Sequence, residues 1–139
     1  SWAVPTAWSA ANEEWNLGIF IMYLATVFWI IGYDTIYGCQ DKNEDEIFGI
    51  KNSAVSAKNF LTLFVGCSYS TMFCLLIISG YLLNNNIFWY IGVSICGLHL
   101  TYQVIKIKNI EQNNPLQVFK SNLVLGLLLT LSSLGNYIS

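Results

Sequence analysis

Long apolar runs, instead of short amphipathic ones, organise this sequence. From Leu17 to about Ile36, Phe60 to Leu83, Ile87 to Tyr102 and Leu123 to Ile138, aliphatic and aromatic residues follow one another almost without charge. A surface helix of a soluble domain shows an apolar stripe at i, i+3, i+4 with charged residues opposite, and these runs carry no such polar side. Crossing the hydrocarbon core of a bilayer, about 30 Å, takes about 20 helical residues, with about 17 to 25 tolerated. The four runs are therefore predicted to be membrane helices, the third and fourth short enough to lean on flanking polar residues or to tilt little. Ser1 to Asn12, with Trp2, Val4, Pro5 and Trp8, reads as the tail of an earlier helix. The segments Asn12 to Asn16 and Asn84 to Asn86 are Asn-rich breakers, suited to tight connections between antiparallel helices. The expected fold class is all-α, a polytopic transmembrane bundle of four complete membrane helices plus the tail of a preceding one.

Composition agrees with that reading. Of 139 residues 55% are hydrophobic and 10% charged, whereas soluble domains carry about a quarter charged residues. The six basic residues are all lysines, scattered without aromatic interleaving, so the electrostatic footprint of a nucleic-acid binder is missing. Their positions carry information about topology. Lys42, Lys51 and Lys58 lie between the first and second runs, and Lys106, Lys108 and Lys120 between the third and fourth, while the opposite connections hold only Glu13 and Glu14 as charges. Short cytoplasmic loops are enriched in Lys and Arg, so the segment after the first run is expected in the cytoplasm and the C-terminus outside.

No charged leader precedes the first run, so a signal peptide is not indicated, and the chain, beginning at Ser1, is expected to lack its natural start. Cys39, Cys67, Cys74 and Cys96 form no C-x-x-C pair and have no histidine at zinc-ligand spacing. They are expected to be buried small hydrophobes. No fixed-period repeat or low-complexity linker divides the chain.

The one polar stretch of note is Y-D-T-I-Y-G-C-Q-D-K-N-E-D-E-I-F-G-I-K-N-S-A, from Tyr33 to Ala54. It follows the first membrane run directly, which sets Asp34 at the lipid boundary, where an ionisable residue is costly and usually functional. If the helix continues, then at 100° per residue Asp34, Asp41 and Asp45 lie within about 40° of one another on one face, with Tyr37 beside them. Asp41 and Asp45 are one turn apart, about 6 Å, close enough to serve one hydrated Mg²⁺ or two ions bridged by a diphosphate. Asp34 stands about 16 Å from Asp45 on a straight helix. It can share their ion only if the helix breaks, for which Gly38 is the expected place. The spacing thus predicts metal-facing roles for Asp41 and Asp45 and a deeper role for Asp34.

Two competing readings bear on the same stretch. Asp41, Asn43 and Asp45 fill positions 1, 3 and 5 of an EF-hand, but Glu46 stands where the turn needs Gly and Asn52 where a bidentate Glu belongs. A solvated loop that merely keeps the chain soluble explains the charges, but not the single-face spacing of three aspartates at the mouth of a helix bundle.

These residues resemble the second acidic motif of the UbiA prenyltransferase family. The Y-D-T-x-Y opening and G-I-K-N-S-A closing are similar to its 4-hydroxybenzoate branch, and F-K-S-N-L-V-L-G from Phe119 to Gly126 resembles the entry to the family's last helix. Asn43 and Glu44 stand where relatives often have a denser run of Asp. The resemblance implies a Mg²⁺-dependent transfer of a polyprenyl group from polyprenyl diphosphate to the ring of 4-hydroxybenzoate, in ubiquinone biosynthesis. It implies a bacterial inner membrane, or a mitochondrial inner membrane in a eukaryote. Asp41 and Asp45 would hold the metal, and Lys42 and Lys51 would meet the diphosphate. Asp34, Tyr37 and Lys42 would serve the reaction itself, with Tyr33 and Tyr37 either sheltering an allylic cation or anchoring the helix at the membrane boundary. The family's other acidic motif, N-D-x-x-D-x-x-x-D, is not among these residues. The chain is therefore expected to be the C-terminal part of one transmembrane prenyltransferase domain, inactive by itself.

Other candidates are weaker. His99, in the third run, reads as a core or boundary histidine bonded to a neighbour, and Ser68, Ser70 and Thr71 as helix-packing residues, since no base accompanies them. The alternatives are a haem-, menaquinone- or chlorophyll-type relative, or a cation transporter. A transporter is disfavoured because its acids would stand near the bilayer midplane.

Overall fold

The computed structural model describes residues 3–10, 16–45, 51–108, 117 and 120–138; the side chains of 3, 4, 8, 38–45, 51–58, 107, 108 and 136–138 lie outside the description. Five helices follow in order: α1 Ala3–Ala10, α2 Leu17–Asp45, α3 Lys51–Leu82, α4 Ile87–Lys108 and α5 Asn122–Ile138. Among the described residues there is no strand. α2 packs along α3, α3 against α4 and α4 against α5, with α1 touching α2. Trp29 of α2 reaches α5 through a hydrogen bond to Asn122, so α2 to α5 form one bundle.

The apolar stretches of α2, α3 and α4 (Leu17–Tyr37, Asn59–Leu82 and Ile87–Lys106) are long and apolar enough to cross a membrane, and α5 is a shorter apolar helix. The chain is a multi-pass membrane protein. Its outer surface explains why the sequence lacks amphipathic stripes. Ile87, Ile91, Ile95, Leu98, Tyr102 and Ile105 line the outside of α4, and Leu123, Leu127, Leu131 and Leu134 that of α5. These rows match lipid, while Ala25, Val65, Met72, Val93 and Leu125 fill the inside. Both sides of each helix are apolar because both neighbours are.

Without a hydrophobic drive between helices in lipid, close packing and internal hydrogen bonds hold such a bundle together. The Trp89 indole lies against Gly80, where an added methyl would collide with the ring, and its Nε1 donates to the Leu76 carbonyl at 3.2 Å. Hydroxyls at Ser70, Thr71, Ser94, Thr101 and Thr130 each donate to the carbonyl four residues back. That satisfies them without a partner from another helix and leaves the outer surface effectively apolar.

Helix ends follow their local chemistry. Asn16 caps α2, its Oδ1 accepting from the Ile19 amide at 3.0 Å. α3 stops at the Asn-rich turn: Asn84 takes a left-handed φ of 53°, Asn85 N donates to Gly80 O at 2.9 Å and Asn84 N to Tyr81 O at 3.2 Å. This is the double bond of a Schellman end, with Asn in the position that usually takes Gly.

Two expectations need correction. Gly38 does not break α2, which stays helical to Asp45; glycine only weakens a helix by roughly 1 kcal/mol, and the continuing i to i−4 ladder tolerates one. Cys67 and Cys74 are exposed instead of buried, and only Cys96 sits inside. Lipid accepts a small thiol on the outer surface as readily as a core does. Cys39 has its side chain outside the described residues.

Candidate functional site

α2 has two faces with different destinations. Ile19, Ala25, Gly32 and Ile36 point into the bundle and are buried. Leu17, Phe20 and Ile31 point outward, and along the same outward stripe, toward the Lys-bearing end, the next residue is Asp34, also exposed. Tyr37 follows, 48% exposed. The outer rows of α4 and α5 remain apolar over their described length, whereas the outward face of α2 turns from apolar to acidic at the end of its membrane span.

α2 continues as helix past Tyr37 to Asp45. The side chains of Asp41, Lys42, Asp45 and Lys51 lie outside the described residues. Among the described residues no three His, Cys, Asp or Glu side chains gather around one point. The acidic residues of this stretch are carboxylates, hard oxygen ligands of the kind Mg²⁺ prefers, which it takes one or two at a time with substrate phosphates supplying the rest. Residues of these types fit Mg²⁺ in their chemistry.

Tyr33 and Tyr37 separate. Tyr37 shares the outward side with Asp34, whereas Tyr33 is half-buried and meets Trp29 edge-on, ring centroids 5.9 Å apart. Tyr33 thus belongs to a group of polar side chains that sequence reasoning missed. Inside the bundle the Tyr69 hydroxyl donates to Gln103 Oε1 at 2.8 Å. The Gln103 amide nitrogen donates to the Ser121 hydroxyl at 2.8 Å and stands 3.2 Å from His99 Nε2. His99 Nε2 is also 3.2 Å from the Ser121 hydroxyl. Since the amide nitrogen can only donate, Nε2 of His99 is the acceptor and the ring proton is assigned to Nδ1. Asn122 takes the Trp29 indole N–H on its Oδ1 at 3.0 Å and hydrogen-bonds Tyr69 as well.

His99 is therefore the neighbour-bonded core histidine that the sequence suggested. Gln103, fully buried, is the hub of a network joining α3, α4 and the start of α5, which Asn122 extends to α2. Its one sequence signal was a Gln directly after an apolar run, but the partners come from separate segments with no shared spacing.

The family model described as "UbiA prenyltransferase family" matches residues 1–131. The chain belongs to the UbiA prenyltransferase family. It is similar to proteins named 4-hydroxybenzoate octaprenyltransferase from Salmonella newport, Salmonella heidelberg and Salmonella paratyphi B, each 31% identical over 98% of this chain and 47% of the relative. The chain thus spans about half the length of the curated UbiA relatives it matches. No solved structure matches it.

Proposed function

We propose that this chain is the C-terminal part of a single transmembrane domain that moves a polyprenyl group from polyprenyl diphosphate to the ring of 4-hydroxybenzoate, with Mg²⁺. The observation that carries the reading is the outward face of α2, which changes from apolar to acidic at the end of the membrane span in a chain of this family. An amphiphilic donor with a long apolar tail and a charged diphosphate needs such a border: lipid-like surface for the tail and, at its edge, carboxylates for a metal-bound head. The relatives named 4-hydroxybenzoate octaprenyltransferase and the Y-D-T-x-Y opening support the choice of acceptor.

Asp41 and Asp45 would hold Mg²⁺, with Lys42 and Lys51 adding point charges to the diphosphate. When bound, the ion neutralises charge on a departing diphosphate. Asp34, deeper on the same face, acts beside the reacting carbon or the aromatic acceptor. Tyr37 offers its ring face to developing positive charge, an interaction of about 2 kcal/mol or more in a dry site. The family's first acidic motif would supply the facing carboxylates from the other half of the domain. All six lysines fall in or beside the connections after α2 and α4, which supports a cytoplasmic acidic face. A cation pathway is less well supported, because its acids would lie near the midplane.

The test is a product assay of the full-length protein in membranes with labelled polyprenyl diphosphate, Mg²⁺ and a set of acceptors. Prenylated 4-hydroxybenzoate is expected to dominate, and the 139 residues alone are expected to give no turnover. Exclusive labelling of a haem, a naphthoate or a chlorophyll precursor overturns the acceptor. Turnover by the isolated chain overturns the need for the other half.

A further inference from the structure

The buried network meets α2 on the side opposite its acidic face. Trp29 and Gly32 of α2 touch it, and at 100° per residue they lie about 140° and 160° around the helix from Asp34. The Tyr69 ring rests directly on Gly32, so closely that a methyl there would overlap it. A flat ring against a residue without a side chain is close packing but gives little resistance to sliding. Direction comes from hydrogen bonds instead. The Tyr69 hydroxyl is fixed by Gln103 of α4 and by Asn122 of α5, and Asn122 also holds the Trp29 indole of α2. Two grips on the inner side of α2 are thereby tied to each other and to three other helices.

We propose that Tyr69 is a positioning residue: through Gly32, Trp29 and the Asn122–Gln103 network it sets the rotation of α2, and so the direction in which Asp34 faces. Its contribution to function rests on reading that face as the metal–diphosphate face. A rotation of α2 turns Asp34 with it, and the helix runs on without a break to Asp45. Tyr69 itself is 3% exposed and sits inside the bundle, so it acts through α2.

The test uses full-length protein in membranes, with native cysteines replaced and single cysteines introduced by Asp34→Cys or Ile36→Cys. Labelling by a membrane-impermeant thiol reagent measures which side of α2 faces out, independently of activity. With Tyr69 intact, position 34 labels faster than position 36. Tyr69→Phe keeps the ring and removes the hydroxyl; it is expected to lower the ratio of the two rates about fivefold, the worth of one buried hydrogen bond. With native Asp34 and Ile36, Tyr69→Phe is expected to raise the Mg²⁺ concentration for half-maximal transfer by a similar factor. Met72→Ala, which loosens the same core without touching the network, is expected to leave the ratio unchanged. An unaltered ratio in Tyr69→Phe, or an equal fall in Met72→Ala, overturns the positioning role. A lowered ratio in a protein that shows no Mg²⁺-dependent transfer upholds the positioning of α2 and rejects the enzymatic reading alone.

Discussion

The ring of Tyr69 occupies the space that Gly32 leaves free, two residues before Asp34 on α2. One helix thus carries, on opposite sides of a single turn, its tightest packing contact and its first outward carboxylate. Cohesion and candidate chemistry are coupled through the rigidity of the helix between them.

Adding a methyl at that point breaks the contact. Gly32→Ala is expected to destabilise the protein by about 1–3 kcal/mol, the usual cost of overpacking, because Tyr69 is held by its hydroxyl and cannot swing aside. Unfolding in mixed micelles measures it; an unchanged midpoint means that the ring has room to move.

Gln103 is the hub, and its loss takes one partner each from Tyr69, His99 and Ser121 inside a membrane bundle. Interhelical hydrogen bonds in membranes average about 0.6 kcal/mol and reach about 1.7, so Gln103→Leu is expected to cost about 1–2 kcal/mol. Gln103→Glu, similar in shape, is expected to disrupt more, since it brings a charge with it. Equal stability of Gln103→Leu and the parent protein speaks against a structural network.

The turn between α3 and α4 makes an independent prediction. Asn84 has φ 53°, a region that costs most β-carbon-bearing residues about 1–2 kcal/mol, Asn less because its short side chain bonds locally, and glycine nothing. Asn84→Val is expected to lose stability by about that amount, and Asn84→Gly to match or exceed the parent. Thermal unfolding of the pair gives the sign directly.

Much of this architecture is written in the order of residues along the chain. Apolar runs of membrane length, the Asn84 turn and the sorting of lysines depend on local composition, which a single pass along the sequence reads. The expectation of an acidic stripe is local too, because it rests on helical periodicity alone, and of its residues the described side chain, Asp34, faces outward. The network is different in kind. Tyr69, Gln103, Ser121, Asn122 and Trp29 meet only because four helices pack, and each looks ordinary in its own segment. Gly38 invited a break that the helix does not take, since one glycine costs a helix only about 1 kcal/mol. Cys67 and Cys74 face outward because a membrane protein offers an apolar environment on both sides, so hydrophobicity does not report burial there.

The central claim is that the outward face of α2 works with Mg²⁺ and a prenyl diphosphate, and a Mg²⁺ titration of prenyl transfer by the full-length protein tests it most directly. The parent protein is expected to show saturable dependence on Mg²⁺, while Asp41→Ala and Asp45→Ala each fall by about 10²–10³-fold, the scale of losing one preorganised electrostatic partner. Parent-like rates and an unshifted Mg²⁺ dependence in both variants would contradict the account.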